Sequence, residues 1–217
     1  MIVGDHELPV LHATHSLLFP GGRLPFIPTS HEQLEALIAA VDSDVAPLAA
    51  LLAIRDTDSD DAPDSLHDVG TAVRVVRFGR QRCCRRWIAE LEAVDRVRVT
   101  SYPQLEPFMI ARCIPLVDRP EDAAMLHALG SAITNIAMQM NERFPDCMHT
   151  QQAATRVREV RLPHEIGGAV ASLLLHVPIA DLQRVLETEP LSARLEAVVG
   201  HLHALQARDL GRAVFLN

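Results

Sequence analysis

The sequence predicts an α+β chain, strand-rich in its first half and helical in its second. Three observations carry this. Apolar and polar residues alternate through Trp87–Thr100 and again through Phe108–Ile114, the period of two of half-buried strands. At Asp118-Arg119-Pro120 the period changes: Leu126, Leu129, Ile133, Ile136 and Met140 step by three and four, as one face of a helix does. The 217 residues are 48% hydrophobic but only 4% aromatic, so a core can form, and it must be built from Leu, Val, Ile, Ala and Met.

Each element follows from local pattern. Leu8-Pro9-Val10-Leu11 is short and apolar, and a second apolar run, Leu17-Leu18-Phe19, ends at the turn that Pro20-Gly21-Gly22 dictates. Pro25 and Pro28 hold Arg23–Pro28 extended. Thr29 or Ser30 can cap a helix over His31–Val41, with Leu34, Leu37, Ile38 and Val41 on its apolar face. Val45–Ile54 is apolar almost throughout and reads as a buried strand, although its Ala and Leu also suit a helix. Arg55–Asp68 is an Asp-rich solvated loop. Val69–Phe78 resumes strand, Arg80–Arg86 turns, and Pro115 stops the last strand. Strands in succession with short turns imply antiparallel pairing in a closed or nearly closed sheet. After the long helix, Pro163 can open a helix to His176, Pro178 one through Glu187, and Glu189-Pro190 or Ser192 a last one carrying Leu191, Leu195, Val198, Leu202 and Leu205. The division expected is 1–118 for the sheet and 119–217 for a helical bundle, with no flexible linker.

Composition excludes several chemistries. All 20 cationic side chains are Arg, and Lys is absent. The phosphate-cradling Lys of a P-loop, the strand Lys of a kinase, the base of a Ser–Lys hydrolase and a Schiff-base amine are all missing from this chain. Arg stays protonated and cannot replace them. No G-x-S-x-G or G-x-G-x-x-G occurs. The four Cys form no C-x-x-C, so all are expected to be reduced thiols. His12-x-x-His15 and His201-x-His203 have the wrong spacing for a shared metal, and Asp58–Asp61 lacks the Gly and Glu of a calcium loop. No catalytic residue, metal or cofactor is expected. An acidic N-terminus and the lack of any run of about 18 apolar residues imply a cytoplasmic protein with no membrane contact.

One dense basic tract runs Arg74, Arg77, Arg80, Arg82, Arg85, Arg86, with Trp87 beside it. Arg82, Arg85, Arg86 and Trp87 are the candidate binding residues there. A net charge of −8 argues against a surface that tracks phosphates, and a solvated hairpin tip paired with the preceding Asp-rich loop explains the tract better.

Four segments together resemble the N-terminal domain of the ATP-dependent protease Lon. Leu8-Pro9, Phe19-Pro20-Gly21 and Leu24-Pro25-Phe26 match its opening. Asp68-Val69-Gly70-Thr71 matches its next signature, ahead of Val73 and Val75. Leu91-Glu92-Ala93-Val94-Asp95-Arg96-Val97-Arg98-Val99 follows the third, with Ala93 where the family has Gly, and Glu106-Pro107-Phe108-Met109-Ile110-Ala111 comes after it. Leu182–Glu187 and Arg194-Leu195 resemble the helical signatures. The likeness runs from about residue 8 to 207.

The resemblance implies a PUA-like antiparallel β-barrel with one helix, followed by the helical bundle. It implies a stand-alone copy of the substrate-binding region, without the ATPase and Ser–Lys peptidase of full-length Lon. The function implied is non-catalytic: binding unfolded or tagged polypeptides, or acting as an adaptor. The partners implied are such polypeptides, a full-length Lon-type protease, and a second copy in a homodimer. The alternative is RNA binding through Arg74–Arg86, because PUA-like barrels resemble RNA-binding ones.

Overall fold

A computed structural model describes residues 4–43, 46–55, 63–81 and 85–207. Asp58–Asp61, Arg82, Cys83 and Cys84 lie outside the described residues. Among the described residues, six strands form one sheet: β1 (His6–Ala13), β2 (Arg23–Phe26), β3 (Leu48–Ala53), β4 (Val69–Arg80), β5 (Trp87–Gln104) and β6 (Ile110–Pro115). Six α-helices among the described residues accompany it: α1 (His31–Val41), α2 (Ala123–Arg143), α3 (Met148–Glu159), α4 (Pro163–Ala169), α5 (Ile179–Glu187) and α6 (Leu191–Ala207).

The strand order is β2-β5-β4-β3-β1-β6, and β6 also pairs back to β5, so the hydrogen bonding of β5, β4, β3, β1 and β6 is cyclic, with β2 paired to β5. The expected all-antiparallel sheet needs correction: β1 and β3 run parallel, in register from Val10↔Ala50 to Ala13↔Ala53. The reason is the connection. β2 and α1 lie between the two strands in sequence, and β2 runs opposite to β1, so the connection returns the chain to the end at which β1 began, as a crossover does. The apolar run before Ile54 is a strand because both its faces are buried.

Alternate residues of the same strands feed two cores. Leu8 and Val10 of β1, Ala50 and Leu52 of β3, Ala72, Val97, Ala111 and Cys113 meet in one cluster drawn from all five cyclically paired strands. Small residues among them, Ala50, Ala72 and Ala111, alternate with larger ones to fit a narrow enclosure. The opposite face, with Leu11, Leu51 and Val73, joins a larger core shared with α1 and with Ile133, Leu182, Leu186, Leu195 and Leu202 of the helices.

Local chemistry sets the helix ends. Ser30 caps α1, its hydroxyl accepting from the Gln33 amide at 3.2 Å. The buried face of α1 is Gln33, Ala36, Leu37 and Ala40, not the larger stripe expected; Ile38 and Val41 are 39% and 40% exposed. Small Ala residues let the helix lie close on the sheet. Leu17, Leu18 and Phe19 are buried outside any strand. In α2 the buried residues are Ile133, Ile136, Ala137 and Met140, while Leu126 and Leu129 are half-buried at its first turns. α3 is not foreshadowed by any apolar stripe, since it buries Thr150, Ala153, Ala154 and Val157. The helix expected over Pro163–His176 ends at Ala169 and gives way to a 3-10 turn at Ala171–Leu173. Among the described residues no helix is long and apolar enough to cross a membrane.

Candidate functional site

Many of the motif residues gather where the sheet meets the helices. Phe19-Pro20-Gly21-Gly22 lies against two elements at once. Gly21 donates its amide to the Ala93 carbonyl and Ala93 donates to Gly22, both at 2.9 Å, so the loop docks on β5 like a short strand. Ala93 sits beside a bulge: Ala72 pairs with Asp95 and Val73 with Ala93, which leaves Val94 as the extra residue. On its other side the loop meets α4. A Cβ on Gly168 would fall 2.2 Å from the Pro20 carbonyl oxygen, and one on Gly21 (φ +84°) 2.5 Å from the Glu165 carbonyl oxygen. Only glycine permits these two backbones to touch.

The second motif works similarly. A Cβ on Gly70 would strike Leu51 and Leu52 of β3. Thr71, fully buried, donates its hydroxyl to the Leu18 carbonyl at 2.6 Å. Gln183 of α5 donates to the Val69 carbonyl at 2.9 Å, tying helix to sheet. Leu8 is buried and Pro9 pairs with Ile110. Pro25 pairs with Glu90, and the Glu106–Pro107 peptide, cis, stands between β5 and β6.

Two charge networks cross the same seam. Arg96 of β5 and Arg194 of α6 are buried, and both grip Asp118, at 2.7 and 2.5 Å. Arg96 also donates to the Leu186 and Thr188 carbonyls, and Arg194 to those of Thr188 and Glu189. Burial, then the like charge of Arg194, pull the Arg96 guanidinium below the usual arginine range. The second network centres on Glu92. It accepts from Arg23 at 2.8 and 2.6 Å and from Arg74 at 3.3 Å, and Arg156 of α3 lies 3.8 Å away. Arg156 also donates to the Gly21 carbonyl at 2.8 Å.

Beside Glu92 the seam opens into a groove of about 850 Å³. Its floor is small and apolar: Leu24, Ala89, Ala169 and Ala171 are all buried. α3 supplies one wall with Gln151, Gln152 and Thr155; the β4–β5 hairpin supplies the other with Arg77, Phe78 and Arg80. Phe78 stacks on Trp87, ring centres 5.0 Å apart and planes 13° from parallel. Of the basic tract, Arg74 is engaged by Glu92, Arg77 lies 3.6 Å from Glu90, and the Arg80 Nε donates to the Arg85 carbonyl. Arg85 and Arg86 are exposed on the hairpin. Among the described residues no cluster of His, Cys, Asp and Glu is placed to hold a metal ion.

The family model for the ATP-dependent protease La (Lon) substrate-binding domain matches residues 7–204. The chain belongs to this family. Among curated relatives, the Lon protease of Anaeromyxobacter dehalogenans is 28% identical over 194 residues, which cover 88% of this chain and 22% of that protein. The Lon protease of Chloroherpeton thalassium is 26% identical over 214 residues, 97% of this chain and 24% of the relative. The chain thus spans about a quarter of the length of these relatives. Among solved structures, the N-terminal domain of Mycobacterium avium complex Lon protease superposes with a TM-score of 0.67 at 16% identity, covering 91% of this chain and 98% of that one. The Lon N-terminal domain protein of Xanthomonas campestris gives 0.52 at 19%, covering 90% and 98%. At such identities these two likenesses establish the fold alone.

Of the signature residues of this Lon substrate-binding family member, Phe19, Pro20, Gly21, Gly70, Thr71, Glu92 and Arg96 occupy the seam, while Leu24 and Pro25 line the groove. Sequence reasoning found Gly21, Gly70, Thr71, Glu92, Arg96 and Arg194, but missed the partners that give them purpose. Arg156 and Gly168 stand in segments without distinctive pattern, and Asp118 marked only the change of period from strand to helix. The only hint was the adjacency of Gly167 and Gly168.

Proposed function

We propose that this chain is a non-catalytic polypeptide-binding module that captures unfolded or tagged segments, for a Lon-type protease or as an adaptor, in the cytoplasm. In this reading residues 1–118 form a PUA-like barrel and 119–217 a helical bundle, and the cyclic pairing of five strands supports the barrel. The observation that carries the function is the groove between hairpin and α3. It is open, floored by apolar side chains and walled on one side by amides and a hydroxyl and on the other by arginines and an aromatic ring, which suits an extended main chain with one or two apolar side chains. Family membership supports the same reading.

Trp87 is the sole tryptophan and stands next to the groove-lining Phe78. Titrating the protein with a permanently unfolded polypeptide should therefore change its intrinsic fluorescence, with an affinity in the micromolar range, about −8 kcal/mol. Thr155→Phe places an aromatic ring in the groove and should weaken binding about tenfold. Absence of binding, or binding indifferent to Thr155→Phe, would refute the proposal.

A further inference from the structure

We infer that the segment selected by this groove is acidic: an extended peptide with carboxylates flanking an apolar residue. The inference rests on the polypeptide capture proposed above and adds the charge of what is captured. The chain as a whole carries −8, yet the described part of the hairpin wall, residues 77–81 and 85–90, holds four arginines against one carboxylate, Glu90. The groove's charged lining is Arg23, Arg77, Arg80 and Arg156 against Glu90 and Glu159.

These cations differ in how firmly they are held. Arg156 is committed to Glu159 at 2.8 Å and to the Gly21 carbonyl, and Arg23 to Glu92. Arg77 is 85% exposed, and its guanidinium stands 3.6 Å from Glu90, beyond hydrogen-bond range. Arg80 has its Nε fixed by the Arg85 carbonyl, which positions the side chain on the hairpin. An incoming carboxylate can form a two-pronged pair with Arg77 without breaking any close ion pair. Meanwhile the floor of Leu24, Ala89, Ala169 and Ala171 accepts an apolar side chain of the same segment. A nucleic acid fits less well. Glu90 and Glu159 border the path of a continuous phosphate backbone, and Phe78 already spends one ring face on Trp87.

The test uses the full chain and two fluorescein-labelled peptides of about a dozen residues, one alternating Glu with Leu and Val, the other with Gln in place of Glu. Anisotropy at low and moderate salt, roughly 50 and 300 mM, gives the affinities. The acidic peptide should bind about fivefold or more tightly at low salt and lose most of that advantage at moderate salt. Arg77→Glu combined with Arg80→Glu should abolish the advantage and leave the Gln peptide within about twofold; Arg77→Ala with Arg80→Ala should remove about half of it. Equal binding of the two peptides, or an acidic preference that survives charge reversal, overturns the acidic assignment while polypeptide capture stands. Failure of both peptides to bind overturns capture as well. Displacement of the acidic peptide by polyuridine, with a steeper salt dependence than the peptide's own, overturns the assignment in favour of a nucleic-acid ligand.

Discussion

Replacing Asp118 by Asn keeps the shape of the side chain and removes the one charge that two buried guanidinium groups share. Arg96 and Arg194 have side chains 5% and 7% exposed, and Asp118 is 21% exposed. Removing one member of a buried ion pair costs about 3–5 kcal/mol. Both arginines retain carbonyl acceptors on the segment from Leu186 to Glu189, which places the loss near the lower end, about 3 kcal/mol. For a chain of this size each kcal/mol lowers the melting temperature by about 2–4 °C, so the expected fall is about 6–12 °C. The assay is thermal unfolding followed by far-UV circular dichroism. Combining Asp118→Asn with Arg194→Met should destabilise by less than the sum of the two single changes, by about 1 kcal/mol or more, because only one buried cation then remains. Raising the salt should restore little, since screening scarcely reaches buried charge. A melting temperature within about 2 °C of the parent, or a loss that vanishes in high salt, would refute the view that this triad clamps sheet to helices.

Three further outcomes test the seam and the cores. Gly168→Ala should cost about 3 kcal/mol by thermal melting, because its methyl would enter the Pro20 carbonyl, whereas Gly167→Ala, whose methyl meets Leu195 and Val198 at 3.5 and 3.8 Å, should be tolerated within about 1 kcal/mol. The Glu121 carboxylate accepts from the amides of Leu191 and Ser192, capping α6; bonds from Ser192 hold its pKa below the ordinary carboxylate value. A lowered folded pKa contributes stability above the unfolded pKa and loses it as pH falls through the folded one, so Glu121→Gln should lower the melting temperature at pH 7, by a cap's worth of about 0.5–1 kcal/mol, and make no difference in strong acid. Burial pushes the Cys113 thiol up to about 12; in a variant with Cys113 as its sole cysteine, labelling by a thiol reagent should be slow at pH 8 and become fast only in denaturant.

Much of the fold was legible because its signals are local. The alternation of Val97 and Val99 against Arg96 and Arg98, and the stripe from Leu191 to Leu205, each require only neighbours along the chain to be interpreted. The glycine and proline of Phe19-Pro20-Gly21 mark a turn for the same reason. What remained hidden depends on where the chain returns. The parallel β1–β3 pair follows from the connection through β2 and α1, which returns the chain between them, not from any residue within either strand. α1 turns its Ala face inward because a small surface fits closely on the sheet, so Ile38 and Val41 are left outside. α3 has no apolar stripe to announce it, yet it brings Arg156 to Glu92 and Gly21. The sequence by itself determined the α+β order, the absence of lysine chemistry and the family signature. The tertiary structure alone decided that Gly21, Gly70, Thr71, Glu92 and Arg96 meet at one seam, that Asp118 serves two arginines 22 and 76 positions away, and that a groove opens beside them. Long-range pairing and backbone-to-backbone contact depend on three-dimensional closure, which no pattern of adjacent residues encodes.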